Sequence, residues 1–152
     1  MQRVERELRR QEEKLRKEKE LREEQQKAVP VGPRAGVKVR PPETADDFES
    51  VCAEWLKKCG VPGARRTPKG SDQGVDVLGG DYAGQCKFYP HQKTTAPEIR
   101  ESEGARRQAG AKKMLFFHYG PVFTDEAKVA AKKLNVELWR YIPAKQTFHR
   151  ES

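Results

Sequence analysis

The sequence predicts an α/β fold in which a central mixed sheet is flanked by helices in three layers, preceded by a long charged helix. Segments with apolar residues at helical spacing alternate with short apolar runs that are typical of strands, in the order helix, three strands, helix, strand, helix, strand. Such alternation places helices on both faces of one sheet. The mean hydropathy of -0.97 and the 36% of charged residues leave material for one modest core.

Residues 1–27 form the predicted charged helix. They are almost wholly Glu, Arg, Lys and Gln, which are good helix formers, and opposite charges recur at i,i+4 spacing. Val4, Leu8 and Leu15 fit one heptad seam, but Leu21 falls outside it, so a coiled coil is weakly supported. We interpret the segment as a solvated spacer, or as an arm that joins a homodimer or a partner protein. A basic nucleic-acid arm is less favoured because the charges nearly cancel.

Proline and glycine set the predicted domain boundaries. Residues 28–43 contain four prolines and two glycines and are predicted to be an extended linker. The folded domain is therefore expected at residues 44–141, followed by a tail at residues 142–152.

Three helices are predicted in this domain, at residues 44–60, 97–110 and 124–134. Thr44 and Thr124 are suited to cap the first and the third, and Pro97 opens the second. Gly60 and Gly110 end the first two. Within the first helix, apolar residues recur at helical spacing, so that helix is expected to lay an apolar stripe on the sheet.

Five short runs are predicted to be strands: residues 64–67, 75–78, 82–88, 113–119 and 136–139. The second and third of these flank a Gly-Asp pair and so predict a hairpin. The fourth contains the sequence MLFF, which is short and apolar enough for a buried central strand.

Charge and cysteine content narrow the class of partner and the compartment. The formal net charge of +8 and the isoelectric point near 9.5 favour a polyanionic partner, either nucleic acid or an anionic membrane surface. Nucleic acid is favoured, because no apolar stretch reaches the ~18 residues that a spanning helix needs. Three cysteines without CxxC spacing indicate a reducing compartment, so we expect a cytoplasmic protein without a membrane span in this chain.

The hairpin carries polar residues at positions that a sheet tends to bury. With Gly80 and Asp81 as a two-residue turn, the register places Asp76 opposite Gln85, and Lys87 shares the face of Gln85. An Asp carboxylate, an amide oxygen and a nearby carbonyl are the hard oxygen ligands that Mg²⁺ prefers. A site of this kind suits phosphodiester hydrolysis. The alternative is a surface ion pair of Asp76 and Lys87, worth under ~1 kcal/mol.

Two motifs resemble those of a known family. The run G-S-D-Q-G-V-D at residues 70–76, followed by Q-C-K at residues 85–87, is similar to the G-x-D-x-G-x-D and Q-x-K pattern of Mrr-like restriction endonucleases, a branch of the PD-(D/E)xK superfamily. The similarity extends over residues 44–141. It implies a restriction-endonuclease-like core, hydrolysis of DNA, a role in defence, and dependence on Mg²⁺, for which Mn²⁺ can substitute.

The resemblance also implies roles for individual residues. Asp76 matches the metal-binding aspartate, and Gln85 stands where the superfamily usually has Glu or Asp. Lys87 matches the catalytic lysine, and Glu49 matches the acid of the first helix that often completes the metal site. The backbone carbonyl of Cys86, which lies between Gln85 and Lys87 in the chain, is a further expected metal ligand.

Basic residues near the proposed site are expected to hold DNA phosphates without reading sequence. They are Arg65, Arg66, Lys69, Lys112 and Lys113. Two rival functions remain open: a non-catalytic nucleic-acid-binding module on the nuclease fold, and an RNA-cleaving toxin of the same fold.

Overall fold

A computed structural model describes residues 2–28, 31–68, 74–121 and 123–151. The chain divides into two units, Met1–Val31 and Gly32–Ser152. The first unit consists of helix α1, Gln2–Ala28, in close agreement with the predicted charged helix. Glu13 and Lys17, four residues apart, form an ion pair at 3.3 Å on its surface. No helix in the described ranges is long and apolar enough to cross a membrane.

Six strands form one mixed sheet whose spatial order follows the chain from β1 to β6. The β3–β4 and β4–β5 pairs are parallel, and the other pairs are antiparallel. The strands are β1 Arg65–Arg66, β2 Val77–Gly79, β3 Tyr82–Phe88, β4 Lys113–Tyr119, β5 Glu137–Ile142 and β6 Thr147–Arg150.

Helices cover both faces of this sheet, which confirms the predicted three-layer α/β fold. The helices are α2 Ala45–Lys58, α3 Ala96–Ala109 and α4 Asp125–Leu134. Helix α2 packs on one face and α3 and α4 on the other, and each face has its own apolar cluster. The predicted caps form: Thr44 accepts a hydrogen bond from the Asp47 amide, and Thr124 accepts one from the Ala127 amide.

Strand β4 separates the two clusters. Leu115 and Phe117 belong to the α2 side, whereas Met114 and Phe116 belong to the α3 and α4 side. Because neighbouring residues of a strand point to opposite faces, the consecutive apolar residues of MLFF fill both cores at once.

The domain is larger than the sequence predicts at both ends. Residues 142–152, expected to be a tail, contain β6, whose Phe148 is completely buried against α2. The expected linker also packs on the domain: Val39 is buried, and the Trp55 indole donates a hydrogen bond to the Val37 carbonyl at 2.9 Å. Each segment contributes only one or two side chains to the core. Neither therefore has an apolar pattern long enough to predict that it packs on the domain.

The loop after β4 passes very close to the end of β3 at Gly120. Its φ is +125°, and a Cβ added there would lie 1.8 Å from the carbonyl oxygen of Tyr89. We expect Gly120→Ala to lower the free energy of unfolding by ~2–4 kcal/mol, measured by urea unfolding. Gly104→Ala is the control, because no atom lies within 4 Å of the added Cβ in α3. That change should stabilise by ~0.5–1 kcal/mol; equal stabilities of the two variants would contradict the structure.

Candidate active site

The β2–β3 hairpin has the register that its turn predicts. Gly80 occupies the turn with φ +52°, and Gly79 pairs with Tyr82. The regular ladder ends where Val77 pairs with Gly84. The expected pairing of Asp76 with Gln85 does not form, because the Asp76 amide donates to the Gly84 carbonyl instead. Asp76 therefore lies at the point where β2 begins and the two chains diverge.

Asp76 is held at this point by the backbone of its neighbours. Its Oδ2 accepts a hydrogen bond from the Cys86 amide at 2.8 Å, and its own amide donates to the Gly84 carbonyl at 2.8 Å. Its carbonyl accepts from the Thr67 amide at 2.9 Å. The side chain is 8% exposed, and a carboxylate so deeply buried requires such polar partners.

The Cys86 carbonyl is directed toward the same edge of β3. Gly84 uses its carbonyl on the β2 side, and the backbone groups of alternate residues point to the same side of a strand. The amide and the carbonyl of Cys86 thus both face the gap beside Asp76. The Cys86 side chain packs in the α2-side cluster, as the predicted alternation requires.

Gln85 and Lys87 face the other side of β3, toward α3. Cys86 and Phe88 belong to the α2 side, so the residues that alternate with them point to the opposite face. A Cβ added at Gly74 would lie 3.4 Å from Oε1 of Gln85 and 3.2 Å from Cβ of Ala105 on α3. The amide oxygen of Gln85 thus lies between the loop before Asp76 and helix α3.

Glu49 approaches from α2. Its Oε2 accepts a hydrogen bond at 2.6 Å from the guanidinium of Arg66 on β1, which also binds Asp46. Burial is the main cause that raises the pKa of the Cys86 thiol, and the nearby charges of Asp76 and Glu49 raise it further. Both carboxylates therefore lie near Cys86, Asp76 from the position before β2 and Glu49 from the covering helix α2.

The donor set in this region consists of oxygen atoms. The carboxylates of Asp76 and Glu49, the amide oxygen of Gln85 and the carbonyl of Cys86 are donors of the kind that Mg²⁺ or Mn²⁺ prefers. Glu49 comes from the α2 side of the sheet, whereas Gln85 faces α3. Among the described residues, no three His, Cys, Asp or Glu side chains converge as a metal-binding group. A site here consequently needs the amide and carbonyl oxygens as well as the two carboxylates.

The expected phosphate-binding residues are divided between two places. Arg66 contacts Glu49 of this set, and Arg65 is exposed on the same edge strand. Lys112 and Lys113 lie at the start of β4, whereas the β4 residue that pairs with Lys87 is five positions later, near the opposite end of the strand. Parallel pairing puts the start of β4 beside the hairpin turn, which sequence proximity alone does not reveal. Lys69 lies outside the described residues.

The structure adds aromatic neighbours to Lys87 that the sequence reading missed. Nζ of Lys87 lies 5.8 Å from the ring centroid of Tyr89, and the parallel register sets His118 beside Lys87. Tyr89 follows Lys87 by two residues, and residues two apart on a strand share a face. This spacing could have predicted that Tyr89 lies beside Lys87. The link between Arg66 and Glu49 had no such signal, because it joins two separate elements.

One comparison with known proteins identifies the family. The restriction endonuclease model of the Mrr catalytic domain matches residues 43–142. The chain belongs to this family. The match covers about two-thirds of the chain and includes the hairpin with Asp76, Gln85 and Lys87. It confirms the Mrr-like resemblance and supports a restriction-endonuclease-like nuclease. No curated protein and no solved structure matches the chain significantly.

His118 predicts a pH dependence of stability. Burial lowers its pKa to about 4 from the usual 6.5, so the folded protein holds it neutral. As the pH falls, the unfolded chain therefore takes up this proton before the folded protein does. The free energy of unfolding is unaffected by the protonation of His118 above pH 6.5 and falls between pH 6.5 and 4.

We expect the free energy of unfolding of the wild type, measured with urea, to fall by roughly 3 kcal/mol between pH 6.5 and 4 because of His118. His118→Leu should remove this part of the loss, while His149→Leu, at an exposed position, should retain it. An identical pH profile for the wild type and His118→Leu would contradict the assignment.

Proposed function

We propose that this Mrr-family nuclease is a Mg²⁺-dependent endonuclease that hydrolyses DNA phosphodiester bonds at the β2–β3 hairpin. The observation that supports this most directly is the buried carboxylate of Asp76, held at the Cys86 amide where β2 and β3 diverge. A carboxylate kept at the end of a strand pair, with an amide oxygen and a carbonyl beside it, suits a hard divalent cation.

Four groups would hold the cation. These are the carboxylate of Asp76, the amide oxygen of Gln85, the carbonyl of Cys86 and the carboxylate of Glu49. When bound, Mg²⁺ lowers the pKa of a water molecule and offsets negative charge on the scissile phosphate, and Mn²⁺ could replace it. Because Gln85 is neutral, the negative charge of the set would come from Asp76 and Glu49.

The other residues of the site would position the reacting groups and stabilise the charge that develops in the reaction. Lys87 would orient the attacking water or stabilise the negative charge that develops on the phosphate. Arg66 would hold Glu49 on the side of α2, through the hydrogen bond of 2.6 Å between them. Phosphate contacts from Arg65, which is exposed on the edge strand, would add binding without sequence specificity.

The basic domain favours DNA as the partner, in line with the family. We further propose that the enzyme acts in the cytoplasm and in defence against foreign DNA. Its three free cysteines, Cys52, Cys59 and Cys86, are compatible with a reducing compartment.

Cleavage of supercoiled plasmid tests the proposed site. In Mg²⁺ the wild type should nick or linearise the plasmid, and EDTA should stop the reaction. Asp76→Ala and Lys87→Ala should lower the rate by at least about a hundredfold, because each removes a group that acts in the transition state. The matched control is Asp81→Ala with Lys112→Ala, an exposed pair 3.8 Å apart at the turn of the same hairpin.

Each outcome of this assay has a distinct meaning. Full activity of Asp76→Ala or of Lys87→Ala would refute the mechanism. Intact plasmid in every lane, with DNA binding that is salt-sensitive but indifferent to Mg²⁺, would favour the non-catalytic binding module. Cleavage of RNA in preference to DNA under competition would favour the toxin.

Helix α1 is proposed to join two copies of the chain. Val4, Leu8 and Leu15 are 63%, 52% and 66% exposed along one heptad seam. The first 27 residues carry ten basic and eight acidic side chains, so two copies would repel each other little.

Sedimentation of the full chain tests this arm. We expect the wild type to sediment as a dimer, and a variant with Leu8→Glu and Leu15→Glu to sediment as a monomer, because charges at seam positions are costly to bury. Arg9→Gln with Arg16→Gln is the control, because these positions lie away from the seam and each change shifts the charge by the same amount as Leu→Glu. Equal masses for the wild type and the seam variant would reject the arm.

A further inference from the structure

Lys87 has an unusual environment for a lysine of a strand. It is half-buried on the face of β3 that points toward α3. In the ranges that the structure describes, its Nζ makes no ion pair with a carboxylate, and its contact is with the ring of Tyr89, 5.8 Å from the centroid. A long lysine side chain without a fixed partner samples many rotamers, so the ring restricts where the ammonium group can lie.

Tyr89 is itself fixed by both its backbone and its ring. Its amide donates a hydrogen bond to the Tyr119 carbonyl at 2.8 Å, which extends the pairing of β3 with β4 by one residue. Its carbonyl lies so close to Gly120 that no side chain fits between them. The ring of His118 meets the Tyr89 ring edge to face at 5.8 Å.

Glu98 connects this ring to the start of α3. The Tyr89 hydroxyl donates to Oε1 of Glu98 at 2.9 Å, and Oε2 accepts a hydrogen bond from the Thr95 amide at 2.8 Å. The second bond belongs to the capping box of α3, so Glu98 is held where the helix begins. Burial and then the bond to Glu98 raise the pKa of Tyr89, so the phenol keeps its proton and can donate it in that bond.

We propose that Tyr89, braced by Glu98, is a positioning residue that fixes the ammonium group of Lys87 for catalysis. This inference rests on the proposed nuclease function, because it concerns the catalytic lysine of the same site. The helix end holds Glu98, Glu98 holds the ring, and the ring holds the ammonium group. Tyr89 is not among the groups proposed to hold the cation, so its effect would be exerted through Lys87.

Steady-state kinetics on plasmid provide the first test. Tyr89→Leu removes the ring, so kcat should fall about fivefold while KM for DNA stays within about twofold. Tyr89→Phe keeps the ring but loses its bond to Glu98, so its kcat should lie between those of Tyr89→Leu and the wild type. A structural role alone would instead lower Tm in both variants without this separation of kcat from KM.

The matched control is Phe123→Leu. Phe123 also packs against His118, at 5.1 Å between ring centroids, whereas the cation–π contact that Lys87 makes in the described residues is with Tyr89. This variant loses an aromatic neighbour of the same histidine and should keep the wild-type kcat. A similar fall of kcat in Phe123→Leu and Tyr89→Leu would overturn the positioning role.

NMR of the full chain provides a second test that needs no catalysis. In protein labelled with ¹³C-lysine, the ε-methylene signals of Lys87, identified by their absence in Lys87→Arg, should be shifted upfield by the ring. Tyr89→Leu should abolish this shift. Tyr89→Phe and Glu98→Ala, which each keep the ring but remove its bond to Glu98, should reduce the shift without abolishing it. If Tyr89→Leu does not fold, Tyr89→Met takes its place, because a flexible thioether can fill the space of the ring.

Failure of the inference can be told apart from failure of the proposed function. An active wild type whose Tyr89→Leu variant keeps both kcat and the Lys87 signals would overturn the inference alone. If the wild type does not cleave DNA, the proposed function fails, and the signals of Lys87 in Tyr89→Leu still support or refute the contact.

Discussion

The hydrogen bond from the Cys86 amide to the carboxylate of Asp76 is the interaction on which the rest of the site depends. The ladder between β2 and β3 ends at Val77, so beyond it the amide of Cys86 has no partner strand on that side. Asp76 supplies the missing acceptor with its side chain, as a buried amide requires. The bond therefore satisfies the backbone where the strands diverge, and it holds the carboxylate beside the carbonyl of Cys86.

The side chains of β3 alternate between the two faces of the sheet, and so do the other residues that surround the hairpin. On one face, α2 brings Glu49 toward the site, and Arg66 of the edge strand holds its carboxylate. On the other face, Gln85 and Lys87 point toward α3, whose first turn holds Glu98 and through it Tyr89. The proposed site would consequently draw on both outer layers, although its central residues come from one hairpin.

The parts of the fold that could be predicted are those with a local signal. The hairpin has a two-residue turn that sets its register, the helices have caps, and β4 has an apolar run long enough for a doubly covered strand. Strand β6 could not be predicted, because its edge position leaves His149 and Arg150 exposed and so gives no regular pattern. The separation of Lys112 and Lys113 from Lys87 could not be predicted for another reason: parallel pairing sets the start of β4 beside the hairpin turn.

By itself, the sequence determined the α/β class, the charged N-terminal helix and the shared face of Gln85 and Lys87. These follow from periodicity and from turn chemistry, which act over a few neighbouring residues. Only the tertiary structure decided that Arg66 holds Glu49 and that Glu98 holds Tyr89 beside Lys87. Contacts of this kind join elements that are distant in the chain, and they depend on how the helices pack on the sheet, which no local pattern specifies.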